Sequence, residues 1–322
     1  MKAALRTLEH FRYRRRLFSD RSRGFSSRKS RTEFISAVHS ITENALAAIL
    51  LGVLLAASPA SAAPLPATAS DAPLPDVPAL LRSVEANQAA LDRAREEYTF
   101  RQQQRLTFYD KHGKAQRSEQ RVSNVFFVHG QPIETLTSKD GKPLSAKELK
   151  KEQDRATKEA VKYAAQPYGQ HDKDDVSVSR LLAIIRFSNP RRIIEGGRSV
   201  IAVDFTGDPH AKTHGRNEDA IKKVRGTVWI DEAAREVTRM HATFDEPLRI
   251  GFGLFATVNA GSSFSFEQAF IHDEVWLPTS LDAHFDGKAA LFVGFHVELS
   301  IRFDQYRKFS ASTTEQTTPP QQ

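Results

Sequence analysis

The 322-residue chain contains no cysteine. That excludes a disulfide framework, a thiolate metal site and a cysteine nucleophile. It also excludes the lipid-anchored form of a bacterial envelope protein, which needs a cysteine at its cleavage site. A domain of this length can stand on its apolar core without crosslinks. Long apolar runs are lacking too. The one pronounced stretch, Ala45 to Ala57 (ALAAILLGVLLAA), falls short of the roughly 20 residues a spanning helix needs. Net charge is missing where it would count. The formal charge is +7, yet residues 1 to 44 hold eleven Lys and Arg against Glu9, Asp20, Glu33 and Glu43, leaving 35 of each sign in the remainder. A body with no net charge has no global pull toward phosphate backbones, so no nucleic-acid partner is expected.

What is present reads as an export leader followed by one globular unit. A basic region, the apolar run and the small residues Ala60-Ser61-Ala62 are the three parts of a secretory signal. They predict export to the periplasm with cleavage near Ala62. An uncleaved amino-terminal anchor is the alternative. Arg14-Arg15-Arg16-Leu17-Phe18 loosely resembles a twin-arginine export signal, though it lies far from the apolar run. Residues 63 to 76 are rich in Pro and Ala and read as a linker. Residues 77 to 309 read as a single domain, and the Ser, Thr, Gln and Pro tail from 310 to 322 as disordered.

Within the domain the apolar period changes several times. Leu81, Val84, Leu91 and Tyr98 form a helical stripe over Pro78 to Tyr98. Period two then takes over at Thr99 to Tyr109, Arg117 to Val128 and Ile133 to Thr137, with turns at Asp110 to Lys114, His129-Gly130 and Lys139 to Lys142. This spacing predicts a three-stranded meander. Ser145 and Glu148 match a capping box opening a helix over Ala146 to Tyr163. Val176 to Phe187 is apolar enough for a second, buried helix. Strands are expected at Ser199 to Phe205, Lys223 to Ile230, Glu236 to Phe244, Ser263 to Phe270, Val275 to Phe285 and Ala289 to Tyr306. The last alternates strictly, the mark of an antiparallel sheet with one wet face. The fold class is therefore α+β and mostly antiparallel β: a curved sheet or unclosed barrel of about 9 to 11 strands, with helices over its concave face.

No motif for chemistry stands out. His210 and His214 have a spacing that suits two ligands on one helix, but Pro209 and Gly215 make the segment a loop, and no Glu accompanies them. His171, Asp172, Asp174 and Asp175 lack the glycine and spacing of a calcium loop. Gly261-Ser262-Ser263 is not a nucleophile elbow, and Gly251-Phe252-Gly253 is not a phosphate loop. No metal, cofactor or catalytic residue is expected, and the chain is not read as an enzyme. The phenylalanines are more telling: nine of 21 fall between Phe252 and Phe303. Phe252, Phe255, Phe264, Phe266, Phe270 and Phe285 are the candidates for lining an apolar cavity. The other reading is that they simply fill the core.

The order of features resembles the periplasmic lipoprotein-sorting carriers (the LolA/LolB-like superfamily). A signal segment precedes a helix, a meander, a helical insertion and a long antiparallel run. Local phrases agree, Gly226-Thr227-Val228-Trp229-Ile230-Asp231 and Asp273-Glu274-Val275-Trp276-Leu277-Pro278 each leading into a strand. The resemblance spans roughly Val77 to Phe309 and rests on hairpin signatures rather than ligand contacts. It implies an unclosed β-barrel roofed by helices, whose hollow holds acyl chains of a lipid or lipid-modified partner. Membrane contact would be transient and the chain a monomer. Two other functions stay open: an envelope protein–protein interaction module of the same fold, and a hydrolase whose site only the fold assembles.

Overall fold

The structure is a computed structural model that describes residues 73–110, 112–168, 176–250, 256–289 and 293–309. The leader, most of the linker, the tail and the acidic cluster at 171–175 lie outside the described residues, as do Phe252 and Phe255.

The chain begins with two helices, α1 (Val77–Ala86) and α2 (Gln88–Glu96), where the sequence pattern predicts one. Asp76 caps α1, its carboxylate accepting from the Ala79 amide at 2.9 Å, and a proline sits in the first turn as suits a helix start. The break falls at Asn87, whose side chain is buried and donates to the Ala234 carbonyl at 2.8 Å. A long-range bond has taken the residue that local periodicity would keep helical.

The meander follows as β1 (Tyr98–Tyr109), β2 (Ala115–Val128), β3 (Gln131–Lys139) and the short β4 (Lys142–Pro143). Two-residue loops join the last three, with His129 and Gly130, then Asp140 and Gly141, all at positive φ. Such turns match the strand twist. Helix α3 (Ala146–Ala164) opens with the predicted capping box, Ser145 and Glu148 bonding each other's backbone. Helix α4 (Val178–Ile184) is only seven residues long, and Ile185 is already extended. The expected helix to Phe187 is thus corrected: the apolar run is split, and β5 (Ile185–Glu195) pairs antiparallel with β6 (Arg198–Gly207). Periodicity cannot separate a short buried helix from a buried strand.

The remaining elements are helix α5 (Arg216–Ile221) and strands β7 (Val224–Asp231), β8 (Glu236–Phe244), β9 (Leu248–Ile250), β10 (Ala256–Val258), β11 (Ser263–Ile271), β12 (Val275–Ala289) and β13 (Val293–Lys308). All strand pairings among the described residues are antiparallel. Eleven strands run in the order β4-β3-β2-β1-β13-β12-β11-β8-β7-β6-β5, so β4 and β5 are edges and the sheet does not close. The β9–β10 hairpin extends it beside the far end of β12. There Gly287 is obligatory, because a Cβ would collide with the Thr257 carbonyl and the Phe295 ring.

Alternation sorts the faces. On β13, Phe295, Val297, Leu299, Ile301 and Phe303 are buried, while Glu298 and Arg302 between them are exposed. The buried face forms one apolar cluster with inward residues of β1, β2, β5 to β8 and β10 to β13. Leu80, Leu81 and Val84 of α1 and Val178, Leu181 and Ile184 of α4 belong to the same cluster. Helix α3 does not: it packs on β3 and β2 and buries only Glu152 and Ala156. No helix among the described residues is long and apolar enough to cross a membrane.

Candidate functional site

The apolar face of the sheet gathers three of the six sequence-predicted phenylalanines. Phe264 and Phe266 point inward from β11, and Phe285 from β12; their exposures are 2%, 0% and 0%. The register places Phe264 opposite Ala283 and Phe266 opposite Leu281 on one side, and opposite Ala242 and Met240 of β8 on the other. All belong to the cluster that α1 and α4 complete.

Phe270 stands apart. It shares the strand parity of Phe264 and Phe266, yet it is half-buried and its ring lies 5.5 Å from that of Trp276. The Arg198 guanidinium sits 4.5 Å from the Phe270 centroid. Two bonds to the fully buried Asp231, from Nε at 2.5 Å and Nη2 at 3.0 Å, hold it there. An aromatic under a fixed cation is a polar boundary. Phe270 therefore marks the rim of the apolar region.

Between core and rim lies a buried polar network. Arg95 of α2 is only 2% exposed and donates from Nη2 to Glu236 at 3.0 Å and to Gln268 at 3.3 Å. Gln268 returns a bond to the same Glu236 carboxylate at 2.8 Å. A desolvated ion pair of this kind is costly unless its hydrogen-bonding capacity is used. Here it fastens α2 to β8 and β11.

The opposite half of the inner face is unexpectedly polar. Gln102 and Gln104 of β1 and Ser123 of β2 point inward with exposures of 1%, 9% and 4%. Gln102 pairs with Phe303 on one side and Ser123 on the other. Gln102 Oε1 is buried and has no hydrogen-bond partner among the described residues. An unsatisfied buried carbonyl costs about 1–3 kcal/mol. The glutamines were visible in the TFRQQQRLTFY alternation, on the side shared with Phe100, Leu106 and Phe108, but nothing local says that amides there will be buried.

Other predicted candidates fall where their sequence context placed them. His210 and His214 are exposed in a loop, their backbone amides donating to Asp208 at 3.0 Å and Glu218 at 2.5 Å. Ser262 is fully buried and its hydroxyl bonds the backbone of Asp286, bridging to β12 rather than serving as a nucleophile. Sequence reasoning missed a cluster on the wet face, His284, His296 and Glu298, each offering a donor atom within 4.8 Å of the others. The two imidazoles are twelve positions apart, and only the β12–β13 register brings them together. Comparison with protein-family models, curated proteins and solved structures gives no match.

Proposed function

We propose that this chain is an exported periplasmic binding or carrier protein for an amphiphilic lipid or a lipid-modified partner. Its acyl part would be held between the inner face of the open sheet and helices α1 and α4. The observation that carries this reading is the two-part inner face. A phenylalanine-rich floor on β11, β12 and β13 adjoins buried amides on β1, one of which has an oxygen without a partner among the described residues. An acyl chain of about 14 methylenes gains on the order of 11 kcal/mol gross on leaving water, and a head-group donor would satisfy Gln102 Oε1. Helices α1 and α4, which share the apolar cluster with the sheet, would supply the roof, and short helices can separate from a sheet at lower cost than packed strands. The expectation of helices over a concave face stands as part of this proposal, with α1 and α4 in that role.

The near-zero exposure of Phe264, Phe266 and Phe285 favours a second reading, an envelope interaction module with a filled core. Under the carrier reading those rings are buried by the closed helices, and ligand enters by parting them. Native mass spectrometry of protein purified from its own envelope separates the two. A lipid adduct that is lost on organic extraction and restored by added phospholipid supports the carrier. Protein of apo mass throughout, with no uptake from vesicles, overturns it.

A further inference from the structure

The wet face of the sheet carries a second constellation, independent of the apolar side. His284 and Asp286 project from β12, His296 and Glu298 from β13, and Tyr109 from β1. The register sets His284 opposite Glu298, Asp286 opposite His296, and Tyr109 opposite His296. The imidazole centroids are 4.5 Å apart and nearly perpendicular, at 84°. We propose that His284, His296 and Glu298 form a divalent zinc-class metal site bridging β12 and β13.

The hydrogen bonds around the cluster leave the right atoms free. Asp286 holds both rings with one carboxylate, Oδ2 lying 3.0 Å from His284 Nε2 and Oδ1 lying 2.7 Å from His296 Nδ1. Each of these nitrogens carries the proton when it donates to Asp286. The lone pairs then fall on His284 Nδ1 and His296 Nε2. His284 Nδ1 already stands 3.8 Å from Glu298 Oε1. The other Glu298 oxygen, Oε2, accepts from the Tyr109 hydroxyl at 2.5 Å, so Oε1 is the one left for a ligand. Around a tetrahedral ion with bonds near 2.0–2.1 Å, donor atoms sit roughly 3.3 Å apart. The three residues each offer a ligand atom within 4.8 Å of the others, and side-chain rotation has that difference to close.

This is the outer-shell pattern that metal-binding imidazoles use, in which a carboxylate takes the second ring N–H and fixes the tautomer. Two imidazoles and one carboxylate suit zinc and its borderline neighbours rather than magnesium or calcium, which prefer all-oxygen shells. The three ligands are partly solvent-exposed, which leaves a fourth position for water or a donor from a partner. Lys288 lies two positions beyond Asp286 on the same face of β12 and is exposed, with a flexible stem that can turn its charge away. The donors stand on extended strands paired on both sides along this stretch, so the backbone needs no ordering to receive the ion.

Untagged, chelator-treated protein titrated with Zn²⁺ against a chromophoric chelator should bind one tight equivalent. That equivalent should weaken at least a hundredfold in His284→Ala/His296→Ala and at least tenfold in Glu298→Gln. His210→Ala/His214→Ala should leave it unchanged. Should the double variant not fold, Asp286→Asn keeps all three ligands and should weaken zinc by 10–100-fold. Co²⁺ in place of zinc should give the visible bands of a tetrahedral ion, absent from Glu298→Gln. No tight equivalent in the wild type, or one that survives the loss of both His284 and His296, overturns the proposal. So does an equivalent that follows His210 and His214 instead.

Discussion

Arg180 and Glu218 meet as a fork on a carboxylate, Nε to Oε1 at 2.9 Å and Nη2 to Oε2 at 2.7 Å, and so join α4 to α5. The same Glu218 accepts from the His214 amide, and the same Arg180 Nη2 donates to the Lys212 carbonyl at 2.9 Å. In the same amino-terminal turn of α4, the Val178 amide donates to Glu85 of α1 at 3.3 Å. The first turn of this seven-residue helix is thus tied to both α1 and α5, and its own length gives it little intrinsic stability.

Removing one tie should loosen α4 first. Arg180 is 34% exposed, so solvent screens the pair and limits its contribution. Arg180→Ala should therefore raise amide exchange in α4 by about fivefold at most, without speeding exchange in β12 or β13. Hydrogen exchange with mass detection reads both. On the carrier reading, the same variant should also take up and release lipid faster.

Acid should weaken the fold through this and related pairs. Arg180 holds the Glu218 carboxyl below its ordinary range, and Arg192 does the same for Glu232. Arg101 acts likewise on Asp304. A carboxylate whose folded pKa is depressed contributes stability that is fully present above its unfolded value, about 4, and is lost as pH falls through the folded one. Urea midpoints should be nearly level from pH 7 to pH 5 and fall steeply below about pH 4. In Glu218→Gln/Glu232→Gln the neutral-pH midpoint should drop and the acid fall should shrink. An equally steep fall in that variant would remove these pairs as the cause.

Strand existence was legible because alternation needs no knowledge of the partner. Phe295, Val297, Leu299, Ile301 and Phe303 announce β13 by themselves, and Glu236–Phe244 is found at its expected bounds. The Ser145–Glu148 capping box was legible for the same reason, being complete within four residues. What stayed hidden depends on contacts across the sheet. The break at Asn87 needs Ala234, and the end of α4 at Ile184 needs β6 as a partner for Ile185. The His284–His296 contact needs a register no local pattern fixes. Phe264, Phe266 and Phe285 are buried on the apolar face, whereas the place of Phe270 at the rim needs Arg198, which no local pattern reveals.

Arg95 offers a test of how the amino-terminal helices are held. Its guanidinium and the Glu236 carboxylate are 2% and 3% exposed, so truncating one leaves the other charged and dry. Arg95→Ala should cost about 3–5 kcal/mol. Replacing both, as Arg95→Met/Glu236→Leu, should recover much of that loss, because the desolvation of the orphaned charge disappears. Thermal melting of the two variants decides it. A double variant no more stable than Arg95→Ala would mean that Gln268 and the Trp276 carbonyl, also bonded to Arg95, carry the attachment.

Phe266 puts the filled core and the lipid site into direct competition. It is wholly buried between Leu281 and Met240, so Phe266→Ala should cost about 3–5 kcal/mol in lipid-free protein, from lost burial and the void left behind. A void lined by apolar groups stays dry and accepts apolar guests. Under the carrier reading the variant should therefore regain stability when phospholipid is added, and by more than the wild type does, since the guest fills what the ring vacated. Under the interaction-module reading neither protein responds to lipid. Phe266→Asp sharpens the contrast: a carboxylate at that depth should unfold a filled core outright, whereas a site that opens to admit a head group would let the variant fold and fail only to retain lipid. Circular dichroism and lipid uptake measured together on the two variants distinguish these outcomes.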